Sequence, residues 1–169
     1  MVTPAADRDE VDRLVAAWHR ERPDLDVSPM HVLSRVTRLA RHLDLARRQA
    51  FAERNVEPWE FDVLSALRRA GAPYQLSPGQ LVRETMVTSG TMTNRIDRLV
   101  DRGLVLRLPD PADRRGVIVS LTPEGRARVD AALAQLLDQE ERLLAGLTAR
   151  DQTTLADLLR VVVAPFDSP

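Results

Sequence analysis

The sequence predicts a mainly α fold with a small β-hairpin wing, a winged helix-turn-helix carrying further helices at both ends. Three observations predict it. Two short helical stretches sit close together in the middle of the chain. Two β-rich runs bracketing an arginine-tipped turn follow them directly, and long amphipathic stretches flank this centre on both sides.

Each element has a local reason. From about Ala5 to Arg22, Val11, Leu14, Val15 and Trp18 fall at i, i+3, i+4 and i+7, one apolar stripe of a helix that stops at Pro23. Ser28-Pro29 reads as an N-cap followed by proline at the first helical position. From there Val32, Leu33, Val36, Leu39, Ala40, Leu43 and Ala46 keep helical spacing to about Arg54. Pro58 opens a third helix with Trp59, Phe61, Val63, Leu64 and Leu67, closed at Gly71. Ser77-Pro78 starts a short helix with Leu81 and Val82. Thr88 caps the next, which runs through Met92, Ile96 and Leu99 to Arg102 and ends at Gly103.

Residues 104–108 and 117–121 then read as strands, joined by a segment from Pro109 to Gly116 that is rich in turn formers. Thr122-Pro123-Glu124 opens a long helix through Val129, Leu133, Leu136, Leu137 and Leu143 to Gly146. Thr148 and Asp151 resemble a capping box for a last helix ending in Val161-Val162-Val163. The chain divides on this reading into an N-terminal arm (1–56), the winged helix (57–121) and C-terminal helices (122–169).

Composition narrows the function. The 169 residues carry 24 arginines, no lysine and 25 acids, for a formal net charge of -1. That balance excludes a polybasic tail, so any nucleic-acid contact must come from a local patch. Cysteine is absent, which excludes disulfides, thiol sensing and Cys-ligated zinc. No apolar run approaches the roughly 18 residues of a membrane span, and the N-terminus lacks a signal-peptide core, so a cytoplasmic protein without a membrane partner is expected. His19, His31 and His42 form no metal-binding pair, and neither a phosphate loop nor a nucleophile elbow occurs. No enzyme activity, cofactor or metal is expected.

The second short helix carries the candidate chemistry. Met92, Ile96, Leu99 and Gly103 share one stripe, which turns Gly90, Thr91, Thr93, Asn94, Asp97 and Arg98 outward. With Thr88 and Ser89 at its start, this is a helix with small and polar side chains where it would enter a DNA major groove. Asn94 can pair bidentately with adenine, and Arg98 can reach a guanine or a phosphate. Arg114 and Arg115 at the wing tip suit a narrow minor groove. Arg83 to Arg115 holds seven arginines against five acids, whereas Gly116 to Pro169 holds five against eight. The bland alternative is a polar helix and a charged hairpin, or a winged-helix module that binds protein, or DNA without small-molecule control.

Leu76-Ser77-Pro78-Gly79-Gln80-Leu81, Thr88 through Leu99, Arg102-Gly103-Leu104-Val105, Asp110 through Gly116 and Leu121-Thr122-Pro123-Glu124-Gly125 resemble the MarR family of transcriptional regulators. The resemblance runs from about Ser28 over nearly all the remaining chain. It implies a repressor that acts as a homodimer through its N- and C-terminal helices, binds a double-stranded, pseudopalindromic operator and is released by a small ligand. Arg115 stands where the family's wing arginine enters the minor groove, and Asp113 where an acid braces the wing.

The added N-terminal helix with Trp18, together with Phe61-Asp62-Val63-Leu64 and Thr93-Asn94-Arg95-Ile96-Asp97, is similar to the urate-responsive branch. That similarity implies a site for urate, or another purine or anionic effector, at Trp18, Asp62, Arg95 and Arg107. The set is chemically coherent: an indole to stack on, arginines to neutralise charge and a carboxylate to accept ring N–H groups. Arg95 sits at the border of its helix's apolar stripe, so its head can reach inward. The ordinary alternatives are a core anchor for Trp18, a solvated charge for Asp62, and structural or phosphate-contacting roles for Arg95 and Arg107.

Overall fold

A computed structural model describes residues 8–111, 113 and 116–166. Among the described residues the elements run α1 (Glu10–Glu21), α2 (Met30–Ala52), α3 (Pro58–Arg69), β1 (Gln75–Leu76), α4 (Pro78–Thr85), α5 (Ser89–Asp101), β2 (Val105–Pro109), β3 (Val117–Leu121), α6 (Pro123–Leu144) and α7 (Ala149–Val163), with a 3-10 turn at Ala164–Phe166. The chain forms two compact units, Met1–Leu45 and Ala46–Pro169, and α2 runs through the boundary. No helix among the described residues is long and apolar enough to cross a membrane.

In the first unit, α1 begins at Glu10 rather than near Ala5, because Asp9 supplies its cap. The Asp9 carboxylate accepts the Asp12 N–H at 3.0 Å, and Asp12 accepts the Asp9 N–H at 3.1 Å. The Asp12 N–H and the Arg35 guanidinium hold the Asp9 carboxyl below the usual carboxylate range. Arg35 reaches Asp9 at 2.9 Å and Asp12 at 2.8 Å, and Arg38 reaches Glu10 at 2.6 Å, so α2 clasps the acidic end of α1. Val11 and Val15 are buried, whereas Leu14 and Trp18 on the same stripe stay exposed. The start of α2 also shifts. Asp26 accepts the Ser28 N–H at 2.9 Å, which places Ser28 in a turn and delays the helix to Met30.

The second unit holds the core. Leu64 and Leu67 of α3, Leu81 of α4, Met92, Ile96 and Leu99 of α5, Val105 and Val119 of the sheet and Val129 and Leu136 of α6 pack together. Phe51 stacks on Phe61 with ring centroids 4.3 Å apart. The sheet has the order β1-β3-β2, all antiparallel, with Val105 opposite Leu121 and Arg107 opposite Val119. β1 is an addition to the sequence reading. Two residues show no alternation, and the strand exists only because Gln75 and Leu76 pair with Ser120 and Val119 of β3.

Two glycines carry the backbone through left-handed turns at helix ends, Gly71 (φ +77°) after α3 and Gly103 (φ +67°) after α5. A third has a different task. The Thr122 hydroxyl caps α6 by accepting the Gly125 N–H at 2.9 Å and sits 2.8 Å from the Gly103 carbonyl, which it contacts as donor. This draws the first turn of α6 so close to β2 that a Cβ on Gly125 would overlap the Leu104 carbonyl oxygen. At the other end of the unit α7 buries nothing. Leu158, Leu159 and Val162 all stand exposed along its length, as do Leu133 and Leu137 of α6.

Candidate nucleic-acid interface

The helix that carries the candidate residues is fixed on one side and bare on the other. Met92, Ile96 and Leu99 are fully buried, while Thr88, Ser89, Gly90, Thr91, Thr93, Asn94 and Arg98 are exposed. The Thr88 hydroxyl caps the helix by accepting the Thr91 N–H at 3.3 Å and lies 2.9 Å from the Thr91 hydroxyl. Thr93 donates its hydroxyl proton to the Ser89 carbonyl at 3.1 Å, which leaves its oxygen lone pairs outward. Arg114 and Arg115 lie outside the described residues. The wing below them is closed by the Asp110 N–H donating to the Gly116 carbonyl at 3.0 Å and the Gly116 N–H donating to Asp113 at 2.8 Å.

One charged side chain among the described residues is buried, and it holds the far end of this helix. Glu60 of α3 is 1% exposed. Its carboxylate accepts the Glu57 N–H at 2.9 Å and pairs with the Arg102 guanidinium, whose second nitrogen donates to the Asn55 carbonyl at 2.7 Å. Arg102 caps the C-terminus of α5, so a single ionic cluster joins the loop before α3, the first turn of α3 and the last turn of α5. The signal for it in the sequence is the glutamate set between Trp59 and Phe61 in an otherwise apolar stripe.

The four residues expected to hold an effector have separate partners. Trp18 is 46% exposed and belongs to the first unit. In the second unit the half-buried Asp62 lies 3.6 Å from Arg47, Arg107 of β2 pairs with Asp97 of α5 at 2.5 Å, and the Arg95 guanidinium sits 5.7 Å from the Trp59 ring centroid. Arg47, Asp97 and Trp59 were not singled out by sequence reasoning as site residues. A recess of about 880 Å³ in the first unit is walled by Arg8, Asp12, His19, Asp24, Asp26 and His31, side chains of both charges, and none of the four expected effector residues lines it.

Helix-turn-helix, antiparallel wing and long flanking helices together define a winged-helix protein. A model of the MarR family matches residues 54–116. The transcriptional regulator PecS of Dickeya dadantii is 39% identical over 150 residues, which is 89% of this chain and 90% of PecS. Among solved structures, a mutant of MarR from E.coli complexed with operator DNA superposes with a TM-score of 0.66 at 30% identity, covering 82% of this chain and 99% of that one. BpsR of Bordetella bronchiseptica, solved in a study of how 6-hydroxynicotinic acid regulates its DNA binding, gives 0.65 at 29% identity over 82% and 94% of the two chains. The chain belongs to the MarR family.

The buried pair yields a stability prediction. Arg102→Met leaves the Glu60 carboxylate buried with one N–H partner and costs about 3 kcal/mol. Adding Glu60→Gln removes the stranded charge, so the double variant is less destabilised than the two single losses combined. Denaturant melts of the four proteins check this, and strictly additive losses contradict it.

Proposed function

We propose that the chain is a ligand-responsive transcriptional repressor that binds a pseudopalindromic operator as a homodimer and is released by urate or a similar planar anion. The observation that carries the DNA reading is α5 itself. Its apolar side is locked into the core, its exposed side presents Asn94 and Arg98, the half-buried Arg95 lies at the border, and neither guanidinium pairs with a carboxylate among the described residues. The likeness to MarR solved with operator DNA supports the same reading. A dimer is supported by the apolar face of α7, which one chain leaves uncovered. A two-fold partner would cover it and set two recognition helices about one DNA turn, ~34 Å, apart.

The effector reading rests on residue chemistry and on the PecS relationship. In BpsR the regulating molecule, 6-hydroxynicotinic acid, is also a planar aromatic anion. Arg95 lies on α5, and Arg107 is bound to Asp97 of α5, so an anion drawing on either arginine acts on the helix that faces DNA. Such a ligand shifts the equilibrium only by its differential affinity for the free and DNA-competent forms.

On a duplex from the DNA flanking its own gene, Arg115→Ala lowers affinity by roughly 1–3 kcal/mol. Asn94→Ala relaxes base preference more than it weakens binding to unrelated sequence. Gel-shift titration checks both, and wild-type affinity for Arg115→Ala contradicts the wing assignment. Urate lowers operator affinity by about 5–150-fold, an ordinary coupling of 1–3 kcal/mol. Trp18→Phe and Asp62→Asn retain operator affinity and lose this response. Release of both variants at the wild-type urate concentration places the effector elsewhere.

A further inference from the structure

Trp59, the second residue of α3, has two arginines against its ring. One side of the indole rests on the core of the second unit, and the side chain is half-buried. The Arg98 guanidinium lies 4.6 Å from the ring centroid and that of Arg95 5.7 Å, both within the distance at which a cation is attracted to an aromatic face. The two arginines are three positions apart on α5 and so project from one side of the helix. Two like charges this close repel each other, and no carboxylate among the described residues neutralises them. The indole face offsets part of that repulsion, but it leaves the net charge of the pair in place.

The surroundings suit an anion. Trp59, Arg95 and Arg98 share a recess of about 500 Å³ with Thr91, Asn94 and Gly90. A Cβ placed on Gly90 would have no atom within 4 Å, so the backbone at the rim is open to close approach. Thr91 and Asn94 add polar groups beside the guanidiniums. An exposed arginine otherwise samples many rotamers, and ordering it opposes binding. Stacking on a half-buried ring removes much of that freedom beforehand.

We propose that Trp59 is a positioning residue for DNA binding, holding Arg95 and Arg98 as a preorganised pair that receives a backbone phosphate of duplex DNA. The proposal rests on the DNA-binding reading above and deepens it. Arg95 is also a candidate effector contact, so the Trp59 platform supplies the arrangement that a ligand pulling on Arg95 would dismantle.

The test uses a 24-bp duplex of mixed sequence, titrated by fluorescence anisotropy over a range of salt concentrations, with the full-length protein. Trp59→Leu keeps apolar packing and removes the aromatic face, while Trp59→Phe keeps a face. Trp59→Leu should bind roughly three- to twentyfold more weakly than wild type. Its plot of log affinity against log salt should be shallower by about one unit for each protomer on the duplex, the signature of one lost phosphate contact per chain. Trp59→Phe should restore most of the affinity. In a chain already carrying Arg95→Ala and Arg98→Ala, Trp59→Leu should change nothing further. Wild-type affinity and salt slope in Trp59→Leu overturn the proposal, as does an equal loss with and without the two arginines, which marks a purely structural role. Failure of the wild type to bind any duplex overturns the DNA reading as well, so the two failures are distinguishable.

Discussion

A buried carboxylate sets the position of α5. Glu60 has almost no contact with solvent, and its partners come from three directions: the backbone of its own first turn, the guanidinium that ends α5, and through that guanidinium the Asn55 carbonyl. A buried ion pair contributes little net stability over apolar packing, yet breaking it is costly, because the remaining charge cannot reach water. The arrangement therefore favours a single placement of α5. Next along the chain, Gly103 turns it into β2, and Thr122 and Gly125 dock α6 against the Gly103 and Leu104 carbonyls. Helix, wing and α6 thus meet at one junction with little slack.

That rigidity gives the exposed side of α5 its meaning on the proposed reading. Side chains that read DNA must be presented in register, and the ordering entropy of long arginines opposes binding unless it is met in advance. The Trp59 ring under Arg95 and Arg98, and the Asp97–Arg107 pair between α5 and β2, are two places where charge on the helix is already arranged. Both involve an arginine that the urate-like effector reading also invokes. A proposed effector would then act by competing for guanidiniums that are held in the DNA-competent arrangement.

Much of the fold was legible because its signals are local. Pro23, Pro58, Gly71, Thr88, Gly103, Thr122 and Thr148 mark helix ends through caps and backbone restrictions, and the structure places helix boundaries at or beside each. The wing strands were legible from two short apolar runs, leucine-rich in β2 and β-branched in β3, and from the turn formers between them. What escaped depends on partners distant in sequence. β1 is two residues long and is defined by its pairing with β3. Val11, Leu14, Val15 and Trp18 share one stripe, and periodicity cannot show that the two valines are buried while Leu14 and Trp18 are exposed. Trp59 has the spacing of a core residue, and periodicity cannot show that two arginines of α5 lie on its ring. For the candidate site, the wheel placed Arg95 at a border, and the structure finds it half-buried. It could not reveal that Asp62 faces Arg47 or that Arg107 faces Asp97.

On the proposed reading, two copies of this winged helix read DNA together through α5 and the wing. Selection of duplexes from a random-sequence pool by the wild-type protein, followed by sequencing of the bound fraction, tests it most directly. Binding by two protomers should enrich an inverted repeat whose half-sites are centred about one helical turn apart, roughly 10 bp. Enrichment of a single unrepeated site, or no enrichment over the starting pool, would contradict it.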